Sequence, residues 1–122
     1  MKQKNAPTQQ SIQHYWEDDE EMRWATQQWS TRIGVKAPRV RFRMMPAEWG
    51  TITPSGWLTL DPLLLTLPKE LGEFVIVHEL VHLLAPSSPR HGKVFKLFLH
   101  AFMPDWEERE RELRGYTAVK SD

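Results

Sequence analysis

The pattern of apolar positions changes period along the chain. Over residues 14–32, Met22, Ala25, Trp29 and Ile33 recur at the spacing of one helical face. Gly34 follows, suited to the left-handed backbone that ends a helix. The run Glu17-Asp18-Asp19-Glu20-Glu21 sits early in this segment, where negative charge suits the helix dipole, and reads as a solvated helix start. From Arg39 the period falls to two. Val40, Phe42 and Met44 alternate with Arg39, Arg41 and Arg43, which predicts a half-buried strand with a solvated arginine face. Trp49–Thr53 and Trp57–Leu60 are strand-like and joined by Pro54-Ser55-Gly56, so they predict a hairpin. Asp61-Pro62 is an N-cap followed by a first-position proline and opens a short turn through Leu65.

Three helical stretches complete the chain. Pro68 to Leu84 stops at Pro86. Pro89 to Met103 has Ser88 as its N-cap and stops at Pro104. Asp105 to Arg114 carries Glu107/Arg111 and Glu110/Arg114 at i,i+4 and ends at Gly115. A helix, then strands, then helices predict an α+β fold with a small antiparallel or mixed sheet against helices. Residues 1–10 are polar and aperiodic, which predicts a flexible tail ahead of one domain over 11–122.

Composition narrows the function. The chain has 122 residues, enough for one real core without staples. Sixteen Lys+Arg balance sixteen Asp+Glu, so overall charge drives no nucleic-acid binding and none is expected. There are no cysteines, which excludes disulfides, thiolate metal sites and thiol nucleophiles. No apolar run reaches the ~18 residues of a membrane span, and no apolar segment follows the charged N-terminus. A cytoplasmic protein without a membrane partner is the expectation.

The chemistry lies in Phe74-Val75-Ile76-Val77-His78-Glu79-Leu80-Val81-His82-Leu83-Leu84, a His-Glu-x-x-His within a helical pattern. Residues four apart share one helix face, so both imidazoles can reach one ion at the ~2.0–2.1 Å of zinc–nitrogen bonds. Glu79 lies about 100° around the helix, next to the ion, placed to deprotonate a water rather than to ligate. The surrounding residues are apolar, and burying a Glu and two His among them is costly unless a metal compensates. A catalytic zinc takes a third protein ligand. His91 is the candidate: the segment Ala85-Pro86-Ser87-Ser88-Pro89 lets the chain reverse, and His91 shares a predicted helix face with Val94, Phe95, Phe98 and Phe102. His100 falls on the opposite face near Lys93 and Lys96, and His14 precedes the acidic run; both are expected at the surface and not as ligands.

These residues resemble the YgjP-like metallopeptidases, also described as predicted metal-dependent hydrolases, relatives of the SprT and WLM zincin-like proteins. The likeness runs from about Trp24 to Trp106. It takes in Met44-Met45, Trp49-Gly50-Thr51-Ile52-Thr53, Gly56-Trp57-Leu58-Thr59-Leu60, the HExxH segment, His91-Gly92-Lys93-Val94-Phe95 and Pro104-Asp105-Trp106. It implies a minimal zincin-like fold with the HExxH helix at its centre. It also implies His78, His82 and His91 as ligands of one zinc ion and Glu79 as catalytic acid/base.

Three functions follow. The first is a zinc-dependent peptidase acting on polypeptide, with the Trp49–Leu60 hairpin walling the cleft and a sheet edge pairing with an extended substrate. Arg114 and Tyr116 are its candidate transition-state donors. The second is metal-dependent hydrolysis of a nucleotide phosphoanhydride, favoured only by Arg39, Arg41 and Arg43; no glycine-rich phosphate loop or carboxylate cluster for magnesium accompanies them. The third is a non-catalytic zinc-stabilised binding module, suggested by six tryptophans if they are exposed. Glu79 favours the enzyme, because a purely structural site has no use for a water-activating carboxylate.

Overall fold

The first helix, α1 (Asp19–Ile33), begins where its charges place it. The Asp18 carboxylate accepts the Glu21 N–H at 2.9 Å, and the Glu21 carboxylate accepts the Glu17 N–H at 2.8 Å, a reciprocal cap. Gly34, at φ 90°, ends the helix by donating its N–H to the Ser30 carbonyl. The structure, a computed structural model, describes residues 13–86 and 91–116; the tail expected over 1–10 and the expected N-cap Ser88 lie outside them. The expectation of helix from residue 14 is corrected. Tyr15 forms a bridge with Pro68, and Trp16 is buried with its indole against Gly72.

Strand β1 (Arg39–Phe42) is shorter than the alternation suggested. Met44, expected inward, is 75% exposed, while Met45 is buried and donates its N–H to the Asp61 carboxylate at 3.0 Å. Pro46 and this bond turn the chain away before Met44 can continue the pleat. β2 (Gly50–Ile52) and β3 (Trp57–Leu60) form the expected antiparallel hairpin, with Gly56 at φ 101° in its turn. β1 pairs with β3 in parallel, so the sheet is mixed and its order is β1-β3-β2. Leu58 and Leu60 line up with Val40 and Phe42 on the core face.

A 3-10 turn, Pro62–Thr66, follows; Asp61 caps it by accepting the Leu63 N–H. α2 (Lys69–Leu84) runs through the centre and packs against α1, β2, α3 (Lys93–Phe102) and α4 (Trp106–Arg114). Its apolar residues therefore face neighbours on nearly every side: Leu71, Ile76, Val77, Leu80 and Val81 are fully buried. Two glycines permit the closest approaches. A Cβ on Gly72 would lie 2.7 Å from the Trp16 indole nitrogen, and one on Gly50 would lie 2.9 Å from a Val75 methyl. Of the six tryptophans, Trp16, Trp29 and Trp49 belong to the core, and Trp24 alone is strongly exposed. The aromatic content mostly builds the fold.

Candidate active site

The i,i+4 spacing brings the His78 and His82 rings together, their centroids 5.2 Å apart. His91 joins them, 4.9 Å from His78 and 5.7 Å from His82. Each ring offers one nitrogen, and the three nitrogens lie within 4.8 Å of one another. His91 arrives by a route that helical periodicity does not describe. The helix expected from Pro89 begins instead at Lys93, with Gly92 as its N-cap, so His91 stands ahead of the helix. Its backbone is left-handed, at φ 58°. For a residue with a Cβ this conformation costs about 1–2 kcal/mol and signals a constraint worth explaining. Val94, expected on the inward face with it, is 47% exposed.

Phe95 is the platform. It is buried, stacks on His82 with centroids 4.4 Å apart, and touches His78 and His91 edgewise or at a tilt. Phe74 closes the other flank of His78 at 5.5 Å. Glu79 is buried beside the cluster, with a carboxylate oxygen 3.1 Å from His78 Nδ1. His14 and His100 are exposed and lie apart from the cluster, as expected.

A cleft of about 620 Å³ opens over His78, Glu79 and His91. Trp49 and Gly50 wall it on one side, so the start of the hairpin contributes and β3 does not. Glu110 and Arg114 of α4, 3.5 Å apart in an ion pair, line it as well. Of the two candidate donors, Arg114 lines the cleft and Tyr116 does not. Arg39, Arg41 and Arg43 are likewise absent from it. Periodicity missed the α4 wall, although the Glu110/Arg114 spacing marks one polar helix face.

The donor set fits a transition metal. Three imidazoles suit zinc, copper, iron or nickel, and a buried carboxylate stands next to them. Tetrahedral zinc with bonds of about 2.0–2.1 Å separates its ligand atoms by about 3.3 Å, within the 4.8 Å that bounds this set.

Two solved structures share this fold. One is the metallopeptidase zymogen of Pyrococcus abyssi abylysin: 24% identity, 83% of this chain and 99% of that chain covered, TM-score 0.72. The other is the metallopeptidase zymogen of Methanocaldococcus jannaschii jannalysin: 17% identity, 78% and 95% covered, TM-score 0.68. No curated protein matches the sequence. The family model of the YgjP-like metallopeptidase domain matches residues 2–116. Nearly the whole chain, including the helix that carries His78, Glu79 and His82, therefore belongs to the YgjP-like metallopeptidase family.

Proposed function

We propose that His78, His82 and His91 hold one zinc ion and that Glu79 is the general base and acid of peptide-bond hydrolysis. The observation that carries this is the convergence of three imidazoles with a buried carboxylate at the floor of an open cleft. The metal, when bound, supplies Lewis acidity: it polarises a carbonyl and lowers the pKa of water toward ~7. Glu79 accepts the proton of the attacking water and returns it to the leaving amine. Its carboxylate, 3.1 Å from His78 Nδ1, would also hold the orientation of that ring. Trp49 and Gly50 set the free edge of β2 against the cleft, where an extended polypeptide can pair through its main chain. Arg114, paired with Glu110, supplies donors in the same cleft. The absence of cysteines suits a cytoplasmic site of action, and among the described residues no helix is long and apolar enough to cross a membrane. The phosphoanhydride reading loses its one support, because the three arginines lie outside the cleft.

Glu79→Gln is the test. Turnover of unfolded polypeptide should fall about 10²–10⁴-fold while elemental analysis still finds the metal. His91→Ala should lose zinc; His14→Ala and His100→Ala should keep it. Equal metal-dependent turnover by wild type and Glu79→Gln would sink the mechanism.

A further inference from the structure

The face of the sheet turned away from the core has no role in the chemistry above, and its composition is unusual. Arg39 and Arg41 share it, about 6.6 Å apart, and Arg43 follows just past the strand end, its N–H still donating to the Leu60 carbonyl at 3.0 Å. Across the sheet the partners of Arg39 and Arg41 are Trp57 and Thr59 on β3, and beyond Thr59 lies Thr51 on β2. Guanidinium, indole and hydroxyl groups thus make up these rows. The arginines are held. Those of Arg39 and Arg41 lie 5.1 and 4.8 Å from the Trp57 ring, and Arg41 Nε donates to the buried Thr59 hydroxyl at 2.8 Å.

Among the described residues, no carboxylate forms an ion pair with Arg39, Arg41 or Arg43. Ten of the sixteen acidic side chains lie in two other stretches, the start of α1 and the segment of α4 with Asp105. Like charges side by side on a strand repel, and the usual relief is an acidic partner across the ladder. Here that place is taken by Trp57 and Thr59. The arrangement leaves a row of pre-oriented cations whose ordering cost is already met within the fold.

We infer that this face is an exosite for an acidic, extended segment of polypeptide. Charge complementarity and spacing carry the inference. A strand with Asp or Glu at alternate positions repeats at the same ~6.6–6.8 Å, so successive carboxylates meet successive guanidinium groups. The contacts proposed are made by the arginine side chains; at the strand's free edge the Val40 carbonyl accepts from Arg23. That the ligand is polypeptide rests on the peptidase reading; that it is anionic does not.

The test is fluorescence anisotropy of a labelled Glu-Thr repeat peptide on the full chain carrying Glu79→Gln, so that the probe stays intact. Binding should saturate and fade toward about 0.5 M salt, where screening is nearly complete. Arg39→Ala/Arg41→Ala/Arg43→Ala should weaken it roughly ten-fold or more, and a neutral Gln-Thr repeat should not bind. If the triple Ala variant melts early, the triple Arg→Gln variant gives the same readout. In a Glu79 background, turnover of an uncharged unfolded substrate should be unchanged by the three arginine substitutions. Absent turnover with arginine-dependent anisotropy would count against the peptidase reading and leave the face as an anion site. Equal peptide binding by wild-type and substituted faces overturns the exosite. Tighter arginine-dependent binding of a single-stranded oligonucleotide than of the peptide at equal salt overturns the assignment to polypeptide.

Discussion

The two ends of α2 are held in different ways. Its first turns are sealed by packing. Leu71 is fully buried, Gly72 lets the Trp16 indole lie on the helix, and Lys69 pairs with Glu21 of α1. Its last turns carry His78 and His82, whose neighbours are another imidazole, Phe95 and a cleft open to solvent. One end requires apolar surface, a missing Cβ and one ion pair at its start. The other requires a left-handed residue and three polar rings at close range. Rigid packing at one end thus fixes the direction from which the reactive end meets α3, and the local cost falls where the chemistry is.

The largest effect should come from the residue that links the two regimes. Phe95→Ala removes a buried ring that lies on all three histidines, and should cost about 3–5 kcal/mol in denaturant melts. It should also weaken metal binding, read by competition with a chromogenic chelator. A variant destabilised to this degree with wild-type metal affinity would separate the platform from the ligands.

Gly72→Ala probes the packed end alone. The added methyl meets Trp16 at 2.7 Å and Met22 at 3.2 Å, which should cost about 1–3 kcal/mol. Metal affinity should not change; a parallel loss would mean that the ends are coupled. His91→Gly probes the other end with the opposite sign. Relief of the left-handed backbone should stabilise the metal-free protein by about 1 kcal/mol while metal binding falls. His91→Ala should lose the metal without that gain, and equal melting of the two metal-free variants would remove the strain argument.

The smallest effect concerns pH. Lys69, and then the Glu17 N–H, hold the Glu21 carboxyl below the usual glutamate range. A carboxyl lowered in the folded state adds stability above its unfolded value and loses it as pH falls through the folded value. Glu21→Gln should therefore lower the melting temperature slightly at neutral pH and converge with wild type in acid. Glu112 has the opposite sign: burial, then the neighbouring Glu70, raises its pKa. Its contribution favours the fold in acid and is lost as pH rises. Glu112→Gln should therefore help most at neutral pH, and an acid-only benefit would contradict the assignment.

The packed end was largely legible in the sequence, and so was the His-Glu-x-x-His face, because both follow from helical period. The start of α1 was not: helical spacing carried the reading back to residue 14, whereas Asp18 caps the helix within the acidic run. His91 was identified as the third member of the cluster by an inward helix face that it does not occupy. Its φ of 58° is a property of the loop ahead of α3, and periodicity carries no signal for it. Met44 failed for a related reason: alternation is local, and the Met45–Asp61 bond that turns the strand spans sixteen residues. The parallel pairing of β1 with β3 was equally beyond reach, because it depends on which edge the hairpin presents. Gly72 was a missed signal, since a glycine within a helical pattern marks a close approach.

Arg23 reaches from α1 to the outward carbonyl of Val40, and its guanidinium also covers Phe42 at 5.3 Å. One side chain thereby blunts the far edge of the sheet against templated growth by another strand, the hazard every open sheet carries. With part of that edge covered, the more open edge is β2, only three residues long and set beside the cleft. Solubility and substrate access are thus partitioned between opposite borders of one three-stranded sheet. A hydrophobic replacement at Arg23 would be felt first as precipitation at high protein concentration and only later as a change in turnover.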